Sequence, residues 1–458
     1  MQKTKTKLIL VISLSVMIRV LGYAQNPIIQ TYHTADPAPM VHDGTVYLYT
    51  THDEDSTVNN FFTMNDWRCY SSTDMVNWTD HGAILHYKDF SWSRGDAWAG
   101  QCVYRNGKYY FYVPVNQKGG GNAIGVAVSD SPTGPFKDAI GEPLLIGYGY
   151  IDPTVFIDDD GQAYLYWGNP NLWYVKLNED MVSYDKEVGI VQEPLNDETF
   201  GYRSKKIQNR TAAYEEGPWF FKRNSKYYML YPAGGVSEHL AYSISNGPTG
   251  PWVYGDTIMH VIQNKGAFTN HPGYIDFKGK SYLFYHNAGL PDGTGFRRSV
   301  CIEPFEFNAD GSIPLITPTK EGVTESASNL NPYARVEAET IGWSEGQKTL
   351  GSDEVGVYVT KIDNGDYIKV SSVDFEKGAT KFEASVAAAT PGAKIEIRID
   401  AKDGELLGTL DVKNTGGNQN WETQSCSIKK AKGVHDVYFV FKGSTNDLFN
   451  FDWWKMKK

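Results

Sequence analysis

A turn followed by a tyrosine-bearing strand occurs five times between residues 43 and 284. In each copy the tyrosine stands three residues after the second member of a turn pair. The turn pairs are Asp43-Gly44, Asn106-Gly107, Asp160-Gly161, Asn224-Ser225 and Lys278-Gly279, and the tyrosines are Tyr47, Tyr110, Tyr164, Tyr228 and Tyr282. Another bulky apolar or aromatic residue follows two positions later, the alternation of a strand leaving a hairpin. Strand repeats spaced by 54 to 64 residues are typical of β-propeller blades.

A second repeated unit lies between these turns. Ser129–Phe136 and Ser245–Trp252 both contain Pro-Thr-Gly-Pro before an aromatic residue, and Ser72–Trp78 is a looser copy. Proline and glycine end one strand there, and the aromatic residue begins the next. Each repeat therefore corresponds to four antiparallel strands, and we predict a five-bladed β-propeller over residues 26–316.

The rest of the chain has a different character. Residues 317–332 are polar and rich in Ser, Thr and Asn, which predicts a linker. Residues 333–458 contain short alternating stretches between Gly, Asn and Asp turns, which predict a β-sandwich of the jelly-roll type. The predicted fold class is therefore all-β, and a chain of 458 residues is long enough for both domains.

Residues 1–24 have the pattern of a leader that is removed on export. Three lysines precede an apolar run at Leu8–Ile18, and Gly22-Tyr23-Ala24 resembles a cleavage site. We therefore expect a periplasmic or secreted protein without a membrane span, because the apolar run is too short to cross a bilayer. The formal net charge of −11 argues against nucleic acid as a partner and suits a neutral substrate.

Acidic residues gather at one position of the propeller repeat. Seven or eight residues before the turns stand Asp36, Ala99, Asp152, Glu216 and His271. If the innermost strands begin there, these side chains converge on one axis, and folding alone gives no reason to place three acids there. Hydrolysis of a glycosidic bond needs a carboxylic acid and a carboxylate across the bond, and a third carboxylate nearby raises the pKa of the acid. Aromatic residues, which stack on sugar faces, make up 14% of the chain.

Two connections are longer than ordinary blade loops. They are His52–Trp67 and Glu193–Thr211, both polar and aromatic-bearing. Long loops on a rigid scaffold commonly carry specificity, so we interpret both as rims of the substrate pocket, with an insertion of no function as the alternative.

These motifs resemble glycoside hydrolase family 43, whose members are five-bladed propeller glycosidases. The resemblance is carried by Ala35–Pro39, Asp96–Ala99, Ile151–Phe156, Glu216–Pro218 and Asn270–Gly273. It implies Asp36 as general base, Asp152 as pKa modulator and Glu216 as general acid, with Glu215 as the competing acid. We favour inversion of configuration, for which the two carboxyl groups lie ~6.5–9.5 Å apart.

The resemblance also implies residues that contact the substrate. Trp98 is expected to be a wall of the sugar pocket, with core packing as the alternative. Arg298 is expected to bind substrate, and Arg297 competes for that role because alternation aims only one of them inward. His271 is expected to bind substrate and to lie near a calcium ion or an ordered water on the axis; a metal-free histidine is the alternative.

The last 125 residues or so resemble carbohydrate-binding module family 6. The match includes Glu337–Glu339, Ile362–Tyr367, Gly392–Arg398, Trp421 and Leu448–Trp453. It implies a structural calcium ion held by Glu337, Glu339 and Asp452, whose hard oxygens suit that ion. It further implies that Tyr358 and Trp421 sandwich a sugar, with Asn450 hydrogen-bonding between them; the alternative is that both are ordinary packing aromatics of the β-sandwich.

We therefore expect an inverting glycoside hydrolase, an α-L-arabinofuranosidase that acts on arabinoxylan or related plant-wall polysaccharides and is a monomer. A β-xylosidase or a bifunctional enzyme is the alternative within the class, because the same acids serve both sugars. A non-catalytic carbohydrate-binding propeller is the alternative from another class. A retaining fructan hydrolase is disfavoured because its Asn-Asp-Pro-Asn start is missing.

Overall fold

The hairpin motifs form the innermost part of five antiparallel sheets in the computed structural model, which describes residues 26–204 and 210–458. The leader predicted over residues 1–24 lies outside the described residues. Helical segments in the described ranges are the 3₁₀ turn Tyr87–Asp89 and the four-residue helix α1 (Asp197–Phe200). Neither of them has the length or apolar character needed to cross a membrane.

The blades follow one another along the chain. The first contains β1 (His33–His42), β2 (Thr45–Asp53), β3 (Met64–Ser72) and β4 (Trp78–His86). The second contains β5 (Ser93–Gly95), β6 (Gln101–Arg105), β7 (Lys108–Gln117), β8 (Asn122–Ser129), β9 (Lys137–Asp138) and β10 (Leu145–Gly147). The third contains β11 (Thr154–Ile157), β12 (Ala163–Trp167), β13 (Trp173–Leu177) and β14 (Val191–Gln192). The fourth contains β15 (Trp219–Arg223), β16 (Lys226–Ala233), β17 (His239–Ser245) and β18 (Val253–Met259). The fifth contains β19 (Gly273–Phe277), β20 (Lys280–Asn287) and β21 (Ser299–Phe305).

The innermost strands close a ring. They are β1, β6, β11, β15 and β19, and each contacts the next, with β19 returning to β1. The second blade has six strands rather than the predicted four, and the fifth blade has three. The start of the described chain covers its outer edge, because the Ile28 N–H donates to the Val300 carbonyl at 2.9 Å and the Ile302 N–H to Asn26 Oδ1 at 2.9 Å.

The turn pairs explain how each inner hairpin reverses direction. Four of the five have positive φ at both central residues, for example 46° at Asp43 and 73° at Gly44, which is type I′ geometry. The exception is the third blade, where β11 ends at Ile157 and β12 begins at Ala163, so the turn is longer. Asp, Asn and Gly tolerate this left-handed backbone, which is why they recur at these positions.

The pairing register corrects one expectation. The second aromatic or apolar position of the hairpin motif pairs with Ala38, Gln101, Thr154, Trp219 and Gly273. Two residues before these stand Asp36, Ala99, Asp152, Gly217 and His271, so Gly217 and not Glu216 occupies the equivalent position. Asp36, Asp152 and Gly217 share φ values of 52°, 55° and 53° and are each followed by proline. Glu216 therefore reaches the axis from one residue earlier in the chain.

The C-terminal domain is a two-sheet sandwich. Its strands are β22 (Val336–Glu337), β23 (Thr340–Ile341), β24 (Trp343–Glu345), β25 (Lys348–Ser352), β26 (Gly356–Thr360), β27 (Tyr367–Asp374), β28 (Ala379–Ala387), β29 (Ala393–Ile399), β30 (Glu405–Val412), β31 (Glu422–Ala431), β32 (Val434–Lys442) and β33 (Asn450–Lys457). One sheet has the order β25-β26-β33-β28-β31, and the other has the order β24-β27-β32-β29-β30. Buried aromatic and aliphatic side chains such as Phe382, Phe439 and Trp454 fill the space between them.

The sandwich docks on the outer edge of the first blade. Strand β23 pairs with β4 and so extends that sheet to five strands. Asn77 donates from Nδ2 to the Ser371 carbonyl at 2.9 Å and accepts the Ser371 N–H at 2.7 Å. Thr349 Oγ1 donates to Asp80 Oδ2 at 2.6 Å. The two domains therefore share backbone and buried side-chain hydrogen bonds.

Candidate active site

A pocket of about 230 Å³ opens where the innermost strands begin. The structure brings together there all six propeller residues that the sequence singled out, namely Asp36, Trp98, Asp152, Glu216, His271 and Arg298. A larger cavity of about 1090 Å³ lies at the outer edge of the fifth blade. Among the described residues that line the larger cavity, Glu321 is the one carboxylate, so we place acid–base chemistry in the smaller pocket.

Asp36 is buried and held in its ionised form. Thr51 Oγ1 donates to its Oδ2 at 2.8 Å, and Arg298 Nη1 donates to its Oδ1 at 2.9 Å. Burial by itself raises the pKa of Asp36, but the Arg298 charge and the Thr51 hydrogen bond, with the neighbouring histidines, outweigh it and hold the pKa below its usual value. An ionised carboxylate at this position can accept a proton.

Arg298 is a buried clamp between two aspartates. Its Nε and Nη2 each donate to Asp53 at 2.9 Å, while Nη1 reaches Asp36. Arg297 points elsewhere and donates to the carbonyl of Asp55 at 3.2 Å. Of the two arginines, Arg298 is the one in the pocket. Sequence reasoning missed Asp53, because it treated this residue only as part of the long connection His52–Trp67 at the pocket rim. In the structure Asp53 is the last residue of strand β2.

The pKa values of Asp152 and Glu216 are shifted in the opposite direction to that of Asp36. Asp152 Oδ2 accepts the Gly217 N–H at 3.1 Å, and Glu216 Oε2 accepts from Asn169 Nδ2 at 2.5 Å. Burial raises the pKa of both carboxyls. The negative charge of Glu216 raises the pKa of Asp152 further, and the negative charge of Asp36 raises the pKa values of both Asp152 and Glu216. Two buried acids beside an ionised third retain a proton between them more readily than isolated acids do.

Glu215 lies next to Glu216 but faces a different environment. It forms ion pairs with both Arg203 and Arg210, and it is not among the pocket-lining residues. Arg210 also donates from Nη2 to Asn169 Oδ1 at 3.0 Å, which orients the amide that contacts Glu216. The carboxylate of Glu215 therefore belongs to the supporting layer of the site.

Two buried histidines lie beside Asp36. Burial lowers the pKa of His271 to about 4 and that of His286 to about 3, so both are neutral near pH 7. His286 Nε2 lies 2.9 Å from the Thr269 carbonyl and donates to it, which leaves Nδ1 to accept the Asp36 N–H at 3.2 Å. His271 Nδ1 lies 4.0 Å from Asp36 Oδ1. His286 was missed because it lies near the end of strand β20, away from the repeated position.

Glu238 is a fourth buried carboxyl near the acid pair. Its Oε2 accepts the Asn270 N–H at 2.9 Å. Burial and the charges of Glu216 and Asp152 raise its pKa well above the usual value. No sequence motif points to Glu238, because it lies between β16 and β17, outside both repeated motifs.

The expected calcium ligands lie on or beside the paired strands β22 and β33 of the sandwich. Glu339 is 4% exposed, and its Oε2 has no hydrogen-bond partner among the described residues. Burial and the charges of Glu337, Asp80 and Asp452 raise its pKa. Arg335 bridges Glu337 and Asp452 at 2.7 and 3.2 Å. A buried carboxylate with an unpaired oxygen beside two further carboxylates is a donor set that suits calcium.

A second cluster of metal-ligand type lies on the first blade. His52, Glu54 and Asp66 place one ligand atom each within 4.8 Å of one another. His52 Nδ1 lies 3.3 Å from Asp66 Oδ1, so the histidine is already partnered by a carboxylate.

The expected sugar sandwich of the second domain differs from the geometry found. The rings of Tyr358 and Trp421 contact each other, with centroids 5.2 Å apart and planes at 67°, so they leave no slot for a sugar between parallel faces. Tyr358 is buried, and its hydroxyl accepts from Gln419 at 2.9 Å. Asn450 is also buried and donates to the Asn418 carbonyl at 2.7 Å. The three residues are neighbours, as expected, but the loop before Trp421 covers them.

Comparison with known proteins matches both domains. The family described as glycosyl hydrolases family 43 matches residues 24–313, and carbohydrate binding module family 6 matches residues 337–458. An arabinoxylan arabinofuranohydrolase of Bacillus subtilis is 37% identical over 94% of this chain and 92% of its own length.

Solved structures agree with this assignment. A crystal structure of a Bacillus subtilis arabinoxylan arabinofuranohydrolase with cellotetraose has a TM-score of 0.81 and 33% identity, covering 96% of this chain and 100% of that one. A β-xylosidase/α-arabinofuranosidase from a compost metagenome, in a calcium-free form with xylotriose, has a TM-score of 0.57 and 31% identity. It covers 65% of this chain and 98% of that one.

Proposed function

The chain belongs to glycosyl hydrolases family 43, and we therefore propose that it releases α-L-arabinofuranosyl residues from arabinoxylan or a related plant-wall polysaccharide. The observation that carries the proposal is the pocket itself, which gathers three buried carboxyl groups and in which the pKa of Asp36 is lowered while those of Asp152 and Glu216 are raised. Similarity to an arabinoxylan arabinofuranohydrolase along both domains supports the choice of sugar.

The reaction follows from the protonation states. Asp36 accepts a proton from a water molecule, which attacks the anomeric carbon. Glu216 donates its proton to the glycosidic oxygen, and Asp152 keeps that proton on the acid until the bond breaks. A single displacement of this kind inverts the anomeric configuration and requires a carboxyl gap of ~6.5–9.5 Å between Asp36 and Glu216.

A β-xylosidase, or an enzyme with both activities, is the second candidate. It is supported by the relative from the compost metagenome, whose description includes both activities. The three carboxyl groups would act in the same way on either pentose, so pocket shape decides between them. Binding of a sugar without hydrolysis does not require buried carboxyl groups whose pKa values are shifted in opposite directions, so these groups argue against a non-catalytic carbohydrate-binding propeller.

Analysis of the products from arabinoxylan tests the proposal. We expect free arabinose and an unshortened xylan main chain, and proton NMR of the first turnovers on an aryl arabinofuranoside is expected to show the inverted anomer. Release of xylose in place of arabinose would support the second candidate. Release of no sugar from either substrate would contradict hydrolysis.

We propose that Glu337, Glu339 and Asp452 hold a calcium ion that is structural and takes no part in the reaction. His271, neutral and buried beside Asp36, is proposed to contact substrate and to lie near a calcium ion or an ordered water on the axis. The sandwich is proposed to bind the polysaccharide. The leader predicted at residues 1–24 would export the enzyme, which we expect to act as a monomer.

A further inference from the structure

Four phenylalanines from three loops meet at the mouth of the pocket. They are Phe61, Phe62, Phe268 and Phe296, and we call them the phenylalanine rim. Phe296 is the centre, with ring centroids 5.7 Å from Phe61, 4.9 Å from Phe62 and 5.1 Å from Phe268. The loops join β2 to β3, β18 to β19 and β20 to β21, so the rim ties the first blade to the last.

The rim is fixed in place by close contacts. A Cβ on Gly295 would lie 2.2 Å from the ring of Phe268, so only glycine allows that ring to pack where it does. The guanidinium of Arg298 lies 4.7 Å from the centroid of the Phe62 ring, which joins the rim to the clamp on Asp36. Rings held in this way lose little conformational entropy when a ligand covers them.

Two of the rings remain open to solvent. Phe61 is 53% exposed and Phe268 is 44% exposed, although both sit against other aromatic rings. Phe61 and Phe62 also line the catalytic pocket. Phe61 and Phe268 therefore add exposed apolar surface beside the pocket.

The size of the pocket limits what enters it. A cavity of about 230 Å³ accommodates one sugar unit and not a branched oligosaccharide. The rest of a polymeric substrate must therefore lie on the surface around the mouth, where Phe61 and Phe268 present exposed aromatic rings. Aromatic faces bind the apolar faces of pyranose rings.

We propose that Phe61 and Phe268 form a stacking platform for the main-chain xylosyl residues of the polysaccharide, while the arabinofuranosyl branch occupies the pocket. The inference rests on the proposed function, since it names how the same site selects a branched polymer over a small glycoside. The phenylalanine rim then selects the sugar on the leaving-group side of the glycosidic bond, whereas the carboxyl groups hydrolyse that bond.

The test compares two substrates on the same variants. Native protein, the double variant Phe61→Ala/Phe268→Ala and the double variant Phe61→Tyr/Phe268→Tyr are assayed on an aryl α-L-arabinofuranoside and on an arabinosylated xylo-oligosaccharide. The ratio of kcat/KM for the oligosaccharide to kcat/KM for the aryl glycoside is expected to fall roughly 5- to 100-fold in the alanine variant. The tyrosine variant keeps flat rings and is expected to keep a ratio close to the native one.

Tyr104→Ala is the matched control, because Tyr104 is a 38% exposed aromatic residue beside the Asn106-Gly107 turn, at the opposite end of β6 from the pocket. Its ratio is expected to equal that of native protein. An unchanged ratio in the alanine variant, or an equal fall in the tyrosine variant, would overturn the platform.

A binding measurement separates this inference from the proposed function. Titration calorimetry with an unbranched xylo-oligosaccharide compares native protein with Phe61→Ala/Phe268→Ala, and the second domain is the same in both. Weaker binding by the variant supports the platform even if native protein cleaves no arabinofuranoside. Equal affinities would contradict the platform, whatever the activity.

Discussion

Asp36 and Glu216 carry the same functional group, yet their surroundings shift the pKa values of the two carboxyls in opposite directions. Asp36 accepts hydrogen bonds from Arg298 and Thr51, whereas Glu216 accepts one from a neutral amide and lies close to other acids. At the scale of single residues, function therefore depends on which donors surround each carboxyl group.

Glu216→Gln tests the assignment of the general acid. The amide cannot donate the proton, so turnover of the natural substrate is expected to fall by about 10²–10⁴-fold while substrate still binds. A substrate with an activated aryl leaving group, which needs no proton, is expected to lose much less. Full activity of this variant on arabinoxylan would assign the acid to Glu215 or to another carboxyl.

Thr51→Val tests how Asp36 is kept ionised. The variant removes the hydrogen bond at 2.8 Å that lowers the pKa of Asp36, so that pKa rises. Because the base must be ionised, the acid limb of the kcat/KM–pH profile is expected to move to higher pH, by about 0.5–1 pH unit for a bond of ~1 kcal/mol.

Thr50→Val is the matched control for that experiment. Thr50 is also buried on β2, but its hydroxyl has no hydrogen-bond partner among the described residues. The acid limb of the kcat/KM–pH profile of Thr50→Val is expected to coincide with that of native protein. Identical shifts in both valine variants would show that the threonine hydroxyls act through packing and not through Asp36.

At the scale of elements, one backbone conformation recurs where the inner strands begin. Asp36 and Asp152 adopt positive φ before a proline, which is costly for residues with a side chain. Gly217 has the same conformation, and a Cβ there would lie 2.9 Å from His271 Nδ1 and 3.0 Å from Pro232. Glycine at this point lets Glu216 and His271 approach the axis together.

Gly217→Ala is expected to lower both stability and activity. The left-handed backbone costs about 1–2 kcal/mol for alanine, and the added Cβ displaces His271 from the pocket. Gly279→Ala is the matched control, because Gly279 has φ of 80° with nothing within 4 Å of its Cβ position. It is expected to lose similar backbone stability, measured by chemical denaturation, with unchanged kcat/KM. Equal activity of the two variants would contradict a role for close approach at Gly217.

The pairing of β22 with β33 offers a test for the proposed calcium ion. Calcium is expected to raise the melting temperature of native protein, because it offsets the repulsion among Glu337, Glu339 and Asp452. Glu339→Gln removes a buried charge, so the variant is expected to be no less stable than native protein in chelator and to lose most of the response to calcium. A full calcium response in this variant would place the ion elsewhere.

At the scale of the whole molecule, the sandwich continues the sheet of the first blade. Strand β23 pairs with β4, and buried hydrogen bonds join Asn77 to Ser371 and Asp80 to Thr349. Lys348 also reaches Asp55 in the loop that carries Phe61, at 3.0 Å. We therefore expect the two domains to unfold together.

Asn77→Ala tests this coupling. The change leaves the N–H and carbonyl of Ser371 without partners in a buried interface, at a cost of about 2 kcal/mol or more. Calorimetry is expected to show one transition for native protein and an earlier or divided transition for the variant. Asn308→Ala removes an exposed asparagine with a local bond to Ser312 and is expected to behave as native. A native-like transition in Asn77→Ala would mean that the hydrogen bonds between Asn77 and Ser371 do not couple the two domains.

The parts of this molecule that could be predicted were those encoded locally. Turn pairs, strand alternation and Pro-Gly turns each depend on neighbours in the chain, so the five blades and the sandwich followed from the sequence. The three acids and Arg298 could be named because they stand in repeated or matched motifs. Two predictions were wrong: that each of the five blades has four strands, and that Glu216 occupies the repeated position at the axis. Cross-strand register is set by pairing and cannot be obtained by counting residues from a turn.

Sequence by itself determined the all-β class, the order of the two domains and the identity of the residues that meet at the axis. Tertiary structure alone decided that Asp53, Asn169, His286 and Glu238 stand behind them, and that four phenylalanines from distant loops form one rim. Periodicity reports only which face of a strand a side chain occupies. The protonation state of a carboxyl group depends on donors that approach from up to 262 residues away, and only the closed ring of blades brings them within hydrogen-bonding distance.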